Sequence, residues 1–169
     1  MTLASAELVV GAATRAVDVN IRLSREEAWV VLEAAHTGIL TTLRADGVPI
    51  ALPVWFVALD ERIYVGSPSH RKKLVHIRRD PRVSFLVESG ERWAELRGVH
   101  LTGVARVVDD EALRERVRAA MDTKYSAFRT SRSEMPERTR DAYEVPITVV
   151  VIVPDERILS WDNSRLSSP

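Results

Sequence analysis

Cysteine is absent from all 169 residues, and its absence excludes several kinds of site at once. Without a thiol the chain cannot form a disulfide, bind zinc through thiolates, hold an iron–sulfur cluster or use a cysteine nucleophile. A sequence without cysteine favours the cytoplasm, and we predict a cytoplasmic protein. No apolar run approaches the ~20 residues that span a bilayer, so we expect no membrane-spanning helix.

Net charge is also absent, because 24 lysines and arginines balance 24 aspartates and glutamates. Proteins that bind nucleic acid usually carry a basic excess, so we expect neither nucleic acid nor a membrane as a partner. The motifs GxSxG, GxGxxG and GxxxxGK[ST] are missing, which excludes triad hydrolysis and P-loop chemistry. The four histidines (His36, His70, His76 and His100) lack metal-ligand spacing, so we predict no metal site and assign no catalytic residue.

Strands joined by hairpins dominate the pattern of the chain, with helices inserted at three or four places. Ser24 and Glu27 form a capping-box sequence before a first helix, which we expect Gly38 to end. About seven strands must hide their edges, so the pattern predicts a small antiparallel barrel flanked by helices. Residues 1–20 are predicted to be a loose tail, and residues 21–169 a single domain.

The second strand is predicted to run from residue 48 to residue 59. Pro49 and Pro53 each remove a ladder donor, so this strand should lie at an edge or carry a bulge. A short helix over residues 70–79 follows the third strand, with Ser69 as its predicted N-cap.

The C-terminal half combines one long strand, one helix and two final strands. Alternating apolar residues from Val99 to Val107 predict a strand with one buried face. A helix is predicted after Asp109, and the polar segment 122–144 is expected to be partly helical and partly mobile. Residues 147–153 and 157–161 predict two further strands, joined at Pro154-Asp155.

A basic segment stands apart from the neutral remainder of the sequence. It follows Gly66-Ser67-Pro68-Ser69, where a strand gives way to a helix, and it contains one acid, Asp80. Its six basic residues are Arg71, Lys72, Lys73, Arg78, Arg79 and Arg82. Small hydroxyl residues, free N–H groups at a helix N-terminus and clustered cations suit an anion. Two interpretations are open here, a phosphate site for a cofactor and a solvated basic helix face.

Tryptophan provides a second candidate feature. Trp55 lies between Val54 and Phe56 in a predicted strand, and Trp161 precedes the polar residues near the C-terminus. Aromatic side chains most often fill a core, but a planar cofactor also needs aromatic and apolar walls.

Four segments, taken in their order and spacing, resemble the flavin-binding split-barrel superfamily. This superfamily includes pyridoxamine 5′-phosphate oxidases and deazaflavin-dependent reductases. The segments are GILTTLRADGVPIALPVWF, IYVGSPSHRKKLVHIRRDPRVSFLV, LTGVARVVDD and ILSWDNSRL, and the similarity covers about Glu27 to Arg165. The resemblance implies a mainly β, α+β fold, an antiparallel split β-barrel of six to seven strands flanked by helices. It also implies a homodimer with a flavin or deazaflavin ring at the subunit interface.

The resemblance assigns cofactor-binding positions as well. The ring is expected to lie on the second strand, at Ala51, Leu52, Pro53, Val54 and Trp55. The end of the third strand and the basic loop are expected to hold the phosphate, with Lys73 foremost, at Gly66, Ser67, Arg71, Lys72 and Lys73. Trp161 and Arg165 resemble the segment that closes over the cofactor from the partner subunit.

The sequence departs from the superfamily at its C-terminal end. Pyridoxamine-phosphate oxidases have an RLHDR-type ending that helps to hold the substrate phosphate, whereas this chain reads RLSSP. We therefore do not expect pyridoxamine phosphate to be the substrate. The RRDPRV stretch and the inserted helical segment resemble the branch that uses coenzyme F420 or FMN, and a composition rich in arginine and alanine favours F420.

The resemblance thus predicts an F420-dependent oxidoreductase that transfers hydride between the deazaflavin and a small conjugated organic substrate. Trp55 and the segment from Tyr125 to Tyr143 are predicted to shape the substrate pocket. Two alternatives are open: an FMN-dependent oxidoreductase of the same fold, and a non-catalytic module that binds flavin or haem. Nucleic-acid binding through the basic helix fits the neutral charge least well.

Overall fold

Seven antiparallel strands form one sheet in this computed structural model, which describes residues 20–130, 134–138 and 145–166. The strands are β1 (Gly38–Leu43), β2 (Pro49–Val54), β3 (Val57–Leu59), β4 (Arg62–Pro68), β5 (Arg82–Ser89), β6 (Arg97–Val107) and β7 (Ile147–Asp162). The helices are α1 (Arg25–Ala34), α2 (Lys72–Arg79) and α3 (Glu111–Tyr125). The predicted N-terminal tail lies outside the described residues, apart from Asn20.

The sheet is curled because its two edge strands are neighbours in the sequence. The strand order is β2-β1-β5-β6-β7-β4-β3, so β2 and β3 form the edges. Only Trp55 and Phe56 connect the end of β2 at Val54 to the start of β3 at Val57. Such a short connection spans at most about 11 Å, so the two edges must approach each other. The result is a mainly β, α+β half-barrel, which confirms the predicted fold class.

Two apolar clusters hold the elements together. The first fills the barrel interior, where the fully buried rings of Phe56 and Phe85 pack edge to face with centroids 4.8 Å apart. The second joins α3 to the opposite side of the sheet, with buried Val117 packing against Tyr64 and Val151. Leu113 and Met121 contribute to this second cluster, so α3 packs on the sheet through one apolar stripe.

Several local predictions are confirmed. Ser24 Oγ accepts a hydrogen bond from the Glu27 amide at 3.2 Å, and Glu27 Oε2 accepts one from the Ser24 amide at 2.7 Å. This capping box satisfies two donors that the first turn of α1 leaves free. Strand β2, with its two prolines, is an edge strand. Buried residues alternate along β6 from Val99 through Leu101 to Ala105, as the pattern predicts.

Two predicted helix boundaries are wrong. Helix α1 ends at Ala34, and Gly38 instead begins β1, where a Cβ atom would lie 2.1 Å from the Phe85 ring. Close approach of that ring explains the glycine at this position. Ser69 does not cap α2, which begins at Lys72. The Ser69 hydroxyl instead donates to the Pro146 carbonyl oxygen at 2.8 Å.

Two predicted strand boundaries are also wrong. The expected strand over residues 48–59 is divided by Trp55-Phe56 into β2 and β3, because the chain passes there from one sheet edge to the other. The two expected C-terminal strands are one continuous strand, β7. A register shift between Leu101 and Gly103 falls opposite Pro154, so β7 passes through its proline without a break.

Ion pairs fix the turn between β3 and β4. Asp60 and Glu61 have φ values of 51° and 53°, in the left-handed region that non-glycine residues rarely occupy. Arg116 of α3 contacts Asp60 Oδ2 at 2.6 Å, and Arg25 of α1 contacts Glu61 Oε2 at 2.8 Å. Each carboxylate of the turn is therefore held by a different helix.

Helix α3 continues into the predicted polar segment as far as Tyr125 and is followed by a 3-10 turn, Ser126–Phe128. Within the ranges that the structure describes, no helix is long and apolar enough to cross a membrane.

Candidate functional site

The basic segment lies where β4 gives way to α2, and strand β7 anchors this junction. The Ser69 amide donates to the Pro146 carbonyl oxygen at 3.0 Å, and the Ser69 hydroxyl lies 2.9 Å from Thr148 Oγ1. The Arg71 amide donates to the Pro68 carbonyl oxygen at 3.0 Å. These bonds fix the direction in which the chain enters α2.

Three cations at this junction have no carboxylate partner among the described residues. Arg71, Lys72 and Arg78 have exposed side chains, and none of them forms an ion pair there. The Arg79 guanidinium donates to the Leu43 carbonyl oxygen, and Arg82 is paired with Asp80 at 2.7 Å. The junction therefore presents a positive charge that the surrounding side chains leave uncompensated.

Lys73 differs from its neighbours because its side chain is half-buried. Burial, together with repulsion from Arg71, lowers the pKa of the Lys73 ammonium. Its side chain lines a recess of about 10 Å³ with Leu52 and Val54 of β2. The structure thus places Lys73 of α2 beside β2. These are two of the elements that the sequence analysis assigns to one cofactor.

Residues of β2 divide between two faces of the sheet. Leu52 is paired with Leu40 of β1 and lines the recess with Val54, although its side chain is 46% exposed. Ala51 and Pro53 are exposed and point the other way, as strand alternation requires. The five consecutive residues assigned to the ring therefore present two different surfaces.

Gly66 and Ser67 lie inside β4 and pair with Val149 and Thr148 of β7. A Cβ atom on Gly66 would lie 3.3 Å from Ile147 Cγ2, so the strands approach closely there. The Ser67 side chain is fully buried, and its hydroxyl lies 3.5 Å from the Pro68 carbonyl oxygen.

Trp55 belongs to an aromatic cluster at the connection between β2 and β3. Its ring stacks on Tyr125 with centroids 4.4 Å apart and an interplanar angle of 1°. The His36 ring lies edge-on to Trp55 at 5.7 Å and to Phe128 at 4.4 Å. Trp55 is 36% exposed and Phe128 is 61% exposed, so the cluster presents aromatic surface to solvent.

Tyr125 positions this cluster through its hydroxyl group. The hydroxyl accepts a hydrogen bond from the Phe56 amide at 2.9 Å and lies 2.8 Å from the carbonyl oxygens of Phe56 and His36. Burial raises the pKa of the Tyr125 phenol. One side chain thus joins α3, the β2–β3 connection and the α1–β1 connection. His36 lies beyond the end of α1, which has no basic residue in its last turn.

The C-terminal residues assigned to the cofactor lie against their own chain. Trp161 covers Gly98, where a Cβ atom would lie 2.2 Å from the indole ring. Arg165 contacts Glu27 Oε1 at 2.5 Å and donates to the Arg22 carbonyl oxygen at 2.9 Å. Within one chain, Trp161 and Arg165 therefore contact β6, α1 and the segment before α1.

A cavity of about 520 Å³ lies at the start of β1, and no sequence motif indicated it. It is lined by the C-terminal half of α1, the α1–β1 connection, the end of β5 and the start of β6. Because four separate elements form it, no local motif could have predicted it. Among the described residues, no group of three or more His, Asp or Glu side chains could hold a metal ion.

Comparison with protein families gives one match, which covers most of the chain. The family described as pyridoxamine 5′-phosphate oxidase matches residues 24–153. Among curated proteins, none matches this sequence.

Comparison with solved structures gives matches over nearly the whole chain. A conserved hypothetical protein from Mycobacterium tuberculosis is 32% identical, with a TM-score of 0.74 over 94% of each chain. A FAD-binding protein from Mesorhizobium loti is 21% identical, with a TM-score of 0.64 over 82% of this chain and 94% of its own. An F420 reductase is 23% identical, with a TM-score of 0.55 over 76% of this chain and 93% of its own. These last two similarities are similarities of fold.

Proposed function

The chain belongs to the pyridoxamine 5′-phosphate oxidase family, and from this premise we propose that it is an oxidoreductase that uses coenzyme F420. Its reaction is the transfer of hydride between the deazaflavin and a small conjugated organic molecule. The observation that carries the proposal is a group of cations at α2 that lack a carboxylate partner among the described residues and lie next to the apolar residues of β2. A cofactor that carries an anionic group on an aromatic ring system needs a cationic surface for the group and, next to it, an apolar surface for the ring.

The choice of F420 over FMN rests on the extent of the positive charge. F420 has a longer and more acidic tail than FMN, so it needs cations beyond the first phosphate. Lys72 and Arg78 lie six residues apart on α2, about 9 Å along the helix axis, and both are exposed. FMN is the alternative cofactor, and it would use the cations at the start of α2 alone.

The cofactor supplies the hydride chemistry, and the residues of this chain supply binding and orientation. Lys73 and Arg71 would hold the phosphate of the cofactor through charge-assisted hydrogen bonds. Trp55, held in place by Tyr125, forms an aromatic wall beside β2. The Trp55→Ala variant is expected to lose cofactor affinity or turnover, and unchanged values of both would exclude this role for the side chain.

We also propose a homodimer, formed through the outer face of the sheet. Pro53, Ile39, Leu86, His100 and Leu159 are paired in register across five adjacent strands. Their side chains share the face opposite the barrel interior, and Leu159 is exposed. A Leu159→Asp variant should sediment as a monomer, whereas a wild-type monomer at micromolar concentration would contradict the dimer.

Titration of the purified protein with F420 and with FMN, followed by cofactor fluorescence, tests the proposal. Tighter binding of F420 and turnover with a system that regenerates reduced F420 are the expected results. Binding of F420 without turnover of any conjugated acceptor would instead indicate a cofactor-binding module. Binding of neither cofactor would overturn the proposal. The cytoplasmic location predicted from the sequence stays a prediction.

A further inference from the structure

The cavity at the start of β1 has an apolar interior and a polar rim. Its apolar walls come from the C-terminal half of α1 and from Ile39 and Leu86, whose strands pair directly. The polar residues of the rim are His36, Thr37, Glu88, Ser89 and Arg97. Its volume of about 520 Å³ lies within the range of roughly 300–1,000 Å³ that small-molecule sites occupy.

The electrostatic character of the rim is negative. Asp162 Oδ2 binds two nitrogens of Arg97, at 2.9 and 2.7 Å, which neutralises that cation. Glu88 is exposed and has no hydrogen-bond or ion-pair partner in the part of the chain that the structure describes. The C-terminal end of α1, at Ala34 and Ala35, lines the same cavity and carries the partial negative charge of a helix terminus. Cations are therefore favoured at this rim and anions are disfavoured.

Aromatic side chains adjoin the same rim. His36 lines the cavity and also contacts the exposed rings of Trp55 and Phe128. The face of such a ring attracts an organic cation within about 6 Å of its centroid. The aromatic cluster and the Glu88 carboxylate thus both favour a positively charged ligand, although they belong to different elements.

We propose that this cavity binds a flat aromatic molecule with a positively charged end, such as an aromatic amine or an aromatic iminium ion. The apolar walls would hold the ring system, and Glu88 with the adjoining aromatic side chains would hold the cation. Carboxylates and phosphates are excluded, which separates this cavity from the cationic junction at α2.

Identification of the cavity as the substrate pocket rests on the proposed function. Ile39 is paired with Pro53 of β2, so the cavity wall continues onto the strand assigned to the cofactor ring. Ile39 and Leu86 also belong to the face proposed for the dimer, so in that dimer the partner subunit would bound this side of the cavity. Neighbouring strands are about 4.8 Å apart, so a ligand in the cavity would lie beside that ring.

Three naphthalene compounds of similar shape and different charge test the proposal on the full-length protein. They are 1-naphthylmethylammonium, 1-naphthylmethanol and 1-naphthoate, and calorimetry in low salt measures their binding. We expect the ammonium to bind about tenfold more tightly than the alcohol and the carboxylate to bind most weakly. Equal or tighter binding of the carboxylate would overturn the proposal.

Two variants assign this binding to the cavity. Glu88→Gln should reduce the preference for the ammonium over the alcohol to about twofold or less, without changing the affinity for the alcohol. Ala34→Phe fills the cavity from an exposed helix position and should abolish binding of both compounds. Val30→Phe is the matched control, because Val30 is an exposed residue of α1 that does not line the cavity. Wild-type binding by Glu88→Gln or by Ala34→Phe would overturn the proposal.

The same proteins separate this proposal from the proposed function. The probes are measured without cofactor, so the expected order of affinities supports the cavity ligand even where F420 fails to bind. In that case the proposed oxidoreductase function is overturned, and the proposed ligand of the cavity is retained. The opposite result is binding and turnover of F420 without the expected order of affinities for ammonium, alcohol and carboxylate. That result would overturn the proposed ligand of the cavity and would support the oxidoreductase function.

Discussion

Helices α2 and α3 are both basic, but their cations have different partners. Arg114, Arg116 and Arg118 of α3 are each paired with a carboxylate, from the same helix or from the β3–β4 turn. In α2, Lys72 and Arg78 have no such partner among the described residues. Positive charge alone therefore does not distinguish a solvated helix face from an anion site, whereas the pairing of that charge does.

The difference originates in the spacing of acidic residues. Glu111 and Glu115 stand three residues before Arg114 and Arg118, the spacing at which helical side chains meet. The sequence of α2, KKLVHIRR, contains no acid at any spacing. Unpaired cations repel one another, so an anionic ligand at α2 would relieve a repulsion that the protein itself leaves in place.

The largest expected effect is on cofactor binding at Lys73. Lys73→Met retains most of the apolar stem and removes the charge, so packing against Leu52 and Val54 is preserved. Loss of a charge-assisted hydrogen bond should weaken binding of F420 and of FMN by about 10- to 100-fold, measured by fluorescence titration. Arg118→Ala is the control from α3 and should bind both cofactors like the wild type. Equal losses of cofactor affinity in the two variants would show that the cations of α2 and α3 do not differ in cofactor binding.

Lys124 is the cation of α3 that lacks a carboxylate partner within the described ranges, and it gives a prediction on pH. Its Nζ is buried without a hydrogen-bond partner, 4.2 Å from the centroid of the Phe56 ring. Burial lowers the pKa of Lys124 to about 8, against the opposing attraction of Glu33. The folded protein therefore binds fewer protons than the unfolded chain between pH 8 and 10.5, so this group makes stability rise with pH across that window.

Replacement of Lys124 by Met should remove this dependence. Urea unfolding at pH 7 is expected to show Lys124→Met more stable than wild type by about 1 kcal/mol, after allowance for solvent screening. The advantage should shrink as the pH rises toward 10.5. A Lys124→Met variant that is less stable than wild type at pH 7 would show that the ammonium is stabilising.

Arg78 should discriminate between the two cofactors. Arg78 lies beyond the start of α2. The Arg78→Ala variant is therefore expected to bind F420 about two- to fivefold more weakly and to bind FMN with unchanged affinity. The salt dependence of F420 affinity should also become shallower, since one cation fewer takes part. Equal effects on both cofactors would favour FMN as the physiological ligand.

The smallest effect is expected at Arg116. This guanidinium is exposed and paired with an exposed carboxylate, Asp60, so its removal should lower the melting temperature by about 2 °C or less. Cofactor affinity should not change. A large loss of stability would mean that the pair is needed to hold the left-handed turn at Asp60 and Glu61.

Features that depend on neighbouring residues were predictable from the sequence. The Ser24 capping box, the edge position of the two prolines in β2 and the buried face of β6 each follow from spacing within one element. Features that depend on remote contacts were not. Ser69 failed as a helix cap because Pro146 and Thr148, far along the chain, bind its hydroxyl.

The candidate site follows the same division. The basic segment and β2 were identified from the sequence because each is continuous there. Placement of Ala51 and Leu52 on opposite faces follows from strand alternation, which the assignment by resemblance did not apply. The aromatic cluster of His36, Trp55 and Tyr125 joins three parts of the chain, so only the fold reveals it.

The position of β7 between β6 and β4 has a consequence for synthesis of the protein. Strand β4, which leads into α2, pairs with β3 on one side and with β7 on the other. Its partner in β7 starts at residue 147, roughly 80 residues after β4 ends, and a ribosome adds roughly 5–20 residues per second. During synthesis, the β3–β4 hairpin is therefore complete several seconds before β7 is available to pair with β4. Since Ser69 is also bonded through β7, the α2 junction is assembled last, and a ligand bound there would stabilise finished chains selectively.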